Sequence, residues 1–480
     1  MEALPPTASS TPAKPAARSP AIVPAALRRV DVWLIAIVAA AFVLRLLWAL
    51  HVEVDPRTYW RWDMTIYDYQ AYVLANGQGF VDFAGQPSAH WPPGYPAMLA
   101  PLYRLTDNSL LAARLLNVAA GSLIVVLVYL LGRKVFDRRI GLIAAGLLAV
   151  FPGQVFATSL IMTEPIFTLL FVLVLTTAVY TVLAEGHGRR WQALLVGLLI
   201  GAAALVRGEA LVLAAIIPVL IFARRRSRQG ALARSSLLML GAAAVILPWT
   251  ARNIAKMHAP IIISTSATEA FWVGHHEGAN GRIADFSELT ANEGLAGMAN
   301  PDYEVKANNA ALRQALQFIR SNPIEELTLI PRRFVALYAG DGASIAWHDN
   351  PSTLSLDKAK MLARLSDWFY WAVGGIAALG LPAWLSLRDQ RKAFLVAVVA
   401  CWTLLFSVVF FGDERFHFAI IPIFCLWAAV SLTTVWQAVQ TRWRGRGHAA
   451  HRRKRWGRAI VEERGAAMTI ERHCGGEKAP

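Results

Sequence analysis

Two carboxylates, three arginines and a histidine are the residues with which this sequence could do chemistry. Asp63 opens the run Asp63-Met-Thr-Ile-Tyr67-Asp68-Tyr-Gln-Ala71, with Leu74 and Gly77 after it. Tyr67, Ala71 and Leu74 follow the i, i+4, i+7 spacing of one face of a short amphipathic helix, which Gly77 should end. A carboxylate at the start of a helix is favoured as a cap, so capping is the plain reading of Asp63. Glu164, in Met162-Thr-Glu164-Pro165, sits at the edge of an apolar block. An ionisable group there is functional or firmly paired. Arg207, Arg252 and Arg415 each stand at the end of an apolar block. A guanidinium suits phosphate because its planar fork donates in pairs, although an arginine so placed also serves simply by snorkelling to the membrane surface. His90 precedes the rigid turn Trp91-Pro92-Pro93-Gly94-Tyr95-Pro96. A lone histidine is commonly structural; its other use here would be to bind phosphate or a divalent ion.

The elements that would position these residues are membrane spans. Of the 480 residues 56% are hydrophobic and only 16% charged, less charge than a soluble chain of this length carries. A helix needs about 20 mostly apolar residues to cross a bilayer. Ten blocks qualify: 32–50, 110–132, 140–158, 160–183, 191–206, 210–223, 235–249, 368–387, 393–411 and 417–437. An eleventh embedded segment is conceivable around 327–338. The expected fold class is therefore an all-α polytopic membrane protein of about 10–11 transmembrane helices over residues 31–437.

Basic residues collect in cytoplasmic connections, and here every second connection is basic: Arg133, Lys134, Arg138 and Arg139, then Arg189 and Arg190, then the run from Arg224 to Arg234, then Arg388 to Lys392. This predicts an inner-membrane protein with both termini in the cytoplasm. Two long connections, 51–109 and 251–367, then face the other side. The orientation bias explains most of the net charge of +15, so no nucleic-acid partner is called for. Residues 1–30 read as a disordered cytoplasmic arm, too unlike a signal peptide to be one. Residues 438–480 form a basic tail suited to anionic headgroups. The three cysteines, Cys401, Cys425 and Cys474, suggest neither a disulfide framework nor a metal cluster.

The Asp63…Tyr67…Ala71 run, its Gly-Phe ending at Gly79-Phe80 and the Pro-Pro-Gly-Tyr-Pro turn resemble the first outer loop of the GT-C glycosyltransferases. The likeness is to the bacterial branch of glycosyltransferase family 39, related to the dolichyl-phosphate-mannose protein mannosyltransferases and the lipid A aminoarabinose transferases. Arg45, Met162-Thr-Glu-Pro165, Arg207-Gly-Glu209, the stretch Leu247-Pro-Trp-Thr-Ala-Arg-Asn253 and Gly274…Gly281 extend it over most of the chain.

The resemblance implies a GT-C-like bundle that moves a sugar, with inversion, from a polyprenyl- or dolichyl-phosphate donor to an acceptor outside the cytoplasm, be it protein, glycan or lipid. It implies Asp63 as the catalytic carboxylate, with Glu164 beside it. Tyr67, His90, Arg207, Arg252 and Arg415 would then bind substrate, the arginines taking the donor phosphate. A divalent cation is left open. The sequence departs from the aminoarabinose transferases at His90-Trp91, where they carry Glu-Lys, and at Ile66, where they carry Arg. A secondary transporter or flippase of a lipid or sugar precursor is the rival reading. It would place its polar site near the membrane midplane on broken helices, whereas these carboxylates lie at span borders. A non-catalytic membrane subunit would have no use for such a set.

Overall fold

The computed structural model describes residues 31–58, 63–184, 189–224, 227–295, 297–348, 354–386 and 388–441. The N-terminal arm and all but the first residues of the basic tail lie outside the described residues. From the N-terminus, α1 (Val32–His51) is followed by a first long loop carrying α2 (Asp63–Ala75) and α3 (Gly94–Leu105). Next come α4 (Leu110–Val135), α5 (Arg138–Ala149), the short α6 (Pro152–Phe156), α7 (Glu164–Tyr180), α8 (Trp191–Val206), α9 (Leu211–Arg224) and α10 (Arg228–Met257). A second long loop holds α11 (Ser266–Gly274), α12 (Ser287–Asn292), α13 (Asp302–Ser321), α14 (Pro323–Leu337) and α15 (Ala343–Ala346). The chain closes with α16 (Leu356–Leu379), α17 (Leu381–Trp384), α18 (Gln390–Leu404, continued as a π-turn through Val409) and α19 (Glu414–Thr441).

This is a multi-pass, all-helical membrane protein. Among the described residues five helices (α1, α4, α10, α18 with its extension, and α19) are long and apolar enough to cross a membrane, and α5 with α6 form a sixth as a pair bent by 62°. α7, with 17 residues, and α8, with 16, are apolar but short, as is the stretch Gly208–Ala223. The block expected at 368–387 belongs to α16, which begins earlier, at Leu356.

The unbroken span expected over 140–158 is corrected. α5 stops at Ala149, and Phe151 is extended (φ −65°, ψ 114°). The cause is Pro152, which disfavours the α conformation in the residue before it and opens a new helix itself. Arg45, fully buried on α1, steadies the break: its guanidinium donates to the carbonyls of Leu148 (3.1 Å) and Ala149 (2.8 Å). A cation there meets the negative end of α5. Likewise, the block expected at 160–183 becomes helical only at Glu164, with a proline in its first turn.

The second long loop also starts later than Ala251, because α10 runs on to Met257 and ends where His258 turns left-handed (φ 53°). The two loops are tied together. Arg252 donates to the carbonyls of Phe80 (2.5 Å) and Ser88 (2.8 Å). Thr265 and Ser266 donate backbone N–H bonds to the carbonyls of Ala89 and His90, and Glu304 accepts from the N–H of Ala89. α3 meets the last turn of α8 so closely that a Cβ on Gly94 would reach 2.7 Å from the Leu205 carbonyl oxygen, which is why the turn ends in glycine.

Candidate active site

Asp63 lies in the first turn of α2, and its Oδ2 accepts a hydrogen bond from Arg415 Nη1 at 2.8 Å. Arg415 stands at the head of α19, with Asp413 on its other flank at 3.6 Å and the Trp347 ring 5.3 Å beneath its guanidinium. The loop before α19 is fixed by Asp413 itself, whose carboxylate accepts the N–H of Arg415 at 2.9 Å.

A second pair lies alongside. Glu164, buried at the head of α7, accepts from Arg207 at 3.1 Å, and Arg207 reaches Glu209 at 3.4 Å. The Arg207 guanidinium is held between the rings of Phe167 (5.8 Å) and Phe416 (5.5 Å). Each arginine thus stands between two carboxylates. α7 begins at Glu164 and α8 ends just before Arg207, so the pair is seated where two short helices stop.

Tyr67 closes the cluster from α2. It is buried, edge-on to Tyr95 at 5.5 Å and tilted against Trp91 at 5.7 Å. Burial pushes its hydroxyl far above the ordinary tyrosine range; Asp63 and Glu164 push the same way, against Arg207 and Arg415. Its hydroxyl therefore keeps its proton and remains a donor.

The structure thus brings together Asp63, Tyr67, Glu164, Arg207 and Arg415. His90 stands at the margin, its Nε2 3.3 Å from Glu269 on α11. Burial raises the Glu269 carboxyl above its ordinary range, with His90 opposing and Asp63 adding to the rise. Arg252 is placed elsewhere: its guanidinium is occupied by the two loop carbonyls and lies over the Trp249 ring at 4.9 Å. The geometry gives it a stapling role and leaves its expected phosphate contact without support.

Among the described residues no group of three or more His, Cys, Asp or Glu is arranged to hold a metal ion. Sequence reasoning missed Trp347, Asp413 and Glu269 as neighbours of the site. Asp413 was legible as a cap two residues before Arg415; nothing in spacing links Glu269 to His90.

Asp68, by contrast, is structural. It is buried, takes two hydrogen bonds from Arg57 (2.7 and 2.8 Å) and accepts a third from Tyr103 at 2.6 Å, locking α2 to α3.

Residues 90–251 match the family model described as dolichyl-phosphate-mannose-protein mannosyltransferase. The fold resembles the oligosaccharyltransferase AglB from Archaeoglobus fulgidus. For AglB in complex with an inhibitory peptide and a dolichol-phosphate, the identity is 16%, the coverage 87% of this chain and 52% of that one, and the TM-score 0.51. For the Archaeoglobus fulgidus oligosaccharyltransferase tethered with an acceptor peptide containing the NVT sequon, the values are 15%, 85%, 50% and 0.52. The protein has the fold of the GT-C glycosyltransferases. It spans about half the length of these GT-C structures. ArnT from Cupriavidus metallidurans, bound to undecaprenyl phosphate, is 16% identical over 84% of this chain and 77% of that one, with a TM-score of 0.42. Among curated proteins there is no match.

Proposed function

We propose that this GT-C protein is a membrane glycosyltransferase. It moves a hexosyl or pentosyl group from a polyprenyl- or dolichyl-phosphate donor to an acceptor at the non-cytoplasmic face, with inversion. The observation that carries this reading is the pairing of Asp63 with Arg415, beside Glu164 with Arg207, under the first long loop. An acceptor hydroxyl is a weak nucleophile and needs a positioned base. Asp63 takes its proton as the hydroxyl oxygen attacks the anomeric carbon. The bond from that carbon to the phosphate oxygen breaks, and the lipid phosphate departs with its charge facing Arg207 and Arg415. A single displacement inverts the anomeric centre. Tyr67, which keeps its proton, is placed to donate to the same phosphate or sugar.

The test is Asp63→Asn in purified protein given lipid-phosphate sugars. Asn retains an acceptor oxygen for Arg415, so donor binding should survive while transfer falls by about 10²-fold or more. Near-normal transfer by this variant would remove Asp63 as the base.

A further inference from the structure

The head of α19 is anchored at three successive residues, each to a different element. The Phe416 carbonyl accepts from Trp402 Nε1 on α18 at 2.7 Å, and the Phe418 carbonyl accepts from Gln154 Nε2 on α6 at 3.1 Å. His417, fully buried, reaches the segment that leads out of α14. Its Nδ1 lies 2.8 Å from the Leu337 carbonyl oxygen and its Nε2 3.3 Å from Asp341 Oδ1. Its ring stacks on that of Tyr370, on α16, at 4.5 Å.

These contacts fix the hydrogens. A carbonyl only accepts, so Nδ1 must donate to Leu337. In a neutral imidazole Nε2 is then an acceptor, and it would face a carboxylate, another acceptor. The contact is a hydrogen bond only when Nε2 or Asp341 Oδ1 carries a proton. The pair therefore holds one and is neutral as a whole, as imidazolium with carboxylate or as imidazole with carboxylic acid.

Asp341 is itself held in place. Its Oδ2 accepts from Ser366 Oγ at 2.6 Å, and Asp367 accepts the N–H groups of Asp341 and Gly342 at 2.7 and 2.9 Å. From α6, Gly153 backs the carboxylate so closely that a Cβ there would collide with it. The turn fixed in this way runs into α15 and then Trp347, whose ring lies under the Arg415 guanidinium. One contact thus joins the two sides of the Arg415 seat. An apolar pair of similar volume often packs as stably as a buried polar one, whose best-attested use is to fix one arrangement among several.

We propose that His417 is a positioning residue: by sharing a proton with Asp341 it sets α19 against the segment that carries Trp347, and so places Arg415 for Asp63 and the donor phosphate. The phosphate rests on the transferase reading, which does not itself use His417.

The experiment measures binding of undecaprenyl phosphate by full-length protein in lipid nanodiscs, on variants shown to unfold cooperatively. Arg415→Gln should weaken binding by about ten-fold, the scale of one hydrogen bond to a charged group. His417→Phe, which keeps an aromatic ring beside Tyr370 but has no nitrogen, should weaken it to a comparable extent. The double variant should bind no more weakly than Arg415→Gln alone, because a residue that acts only through another adds nothing once that one is gone. Asp341→Ala is a smaller change with the same expected pattern, and it serves should the Phe variant not fold. Asp341→Asn should bind within about two-fold of wild type, since its amide donates to Nε2 and its oxygen still accepts from Ser366. Unchanged binding in His417→Phe or Asp341→Ala overturns the assignment, as does a loss that multiplies with that of Arg415→Gln. Binding by Asp341→Asn as weak as that by Asp341→Ala overturns the shared proton. In all three cases the transferase reading stands. If wild type binds no lipid phosphate, the transferase reading falls; if Arg415→Gln binds as wild type does, the phosphate role of Arg415 falls. In either of these cases the proposal falls with it.

Discussion

Changing Arg207 to Gln leaves Glu164 and Glu209 facing each other with no cation between them and, on the proposed function, would remove one of two positive charges from the donor phosphate. Donor affinity should fall, measured as weaker binding of lipid-phosphate sugars in protein that still folds. Arg252→Gln should behave differently, because its guanidinium holds the carbonyls of Phe80 and Ser88. Its expected signature is a loosened first loop, seen as faster proteolysis near residues 80–90, with donor affinity close to wild type. Equal losses of donor affinity in the two variants would contradict this division. Asp68→Asn strips a buried acceptor of its charge between Arg57 and Tyr103; a cost of about 1–3 kcal/mol is expected, read as a lowered unfolding midpoint. In the sequence Asp63 and Asp68 are both acids on one short helix, and Arg207 and Arg252 are both arginines at span ends. Much of what separates them is partners 35 to 352 positions away, and helical spacing carries no information at that range.

At the scale of elements, the second long loop is held to α18 by a buried cluster. Arg333 donates to Glu326 at 2.7 Å and to the Gly274 carbonyl at 2.6 Å, and His275 binds Glu326 at 2.9 Å and the Val409 carbonyl at 3.0 Å. Burial lowers the imidazole below its ordinary 6.5, with Arg333 adding and Glu326 opposing. Burial alone would raise Glu326, but hydrogen bonds from Arg333 and His275 outweigh it and hold the carboxyl below 4.5. For both groups the folded value lies under the unfolded one, so the unfolded state takes up protons more readily. The stability they supply is whole above these ordinary values and is lost as pH falls. The unfolding midpoint should therefore drop between about pH 7 and about pH 5, and His275→Asn should flatten that slope; an unchanged slope would exclude the histidine. The helix over Asp63 to Ala75 and its stop near Gly77 were legible, because both follow from local spacing and a glycine at φ +75°. The break at Phe151-Pro152 was equally local, yet hydropathy averages over it. Arg45→Leu, which uncaps α5 at that break, should cost about 2–3 kcal/mol by thermal unfolding.

For the whole molecule, the ten apolar blocks of the sequence each fall on a helix or helix pair, since in lipid every backbone N–H and C=O must be satisfied within the segment, the strongest constraint on such a chain. The direction of insertion is a separate question, on which the basic connections of the sequence carry an expectation. A reporter fused after Arg226 should read cytoplasmic, and one fused near Asn280 should read periplasmic or extracellular. The reverse pattern would put the site on the wrong side for a lipid-linked donor presented outside the cytoplasm.

Asp63 and its partner Arg415 are 352 residues apart, and this sets the order in which the protein becomes competent during synthesis. At about 5–20 residues per second, a ribosome that has made Asp63 takes roughly 20–70 s more to deliver its cation. Until α19 has entered the membrane Asp63 lacks Arg415 and Arg207 lacks the ring of Phe416. On the proposed function, a chain interrupted before Arg415 should show no transfer. On that reading α19, the last helix among the described residues, would be the one that arms the site.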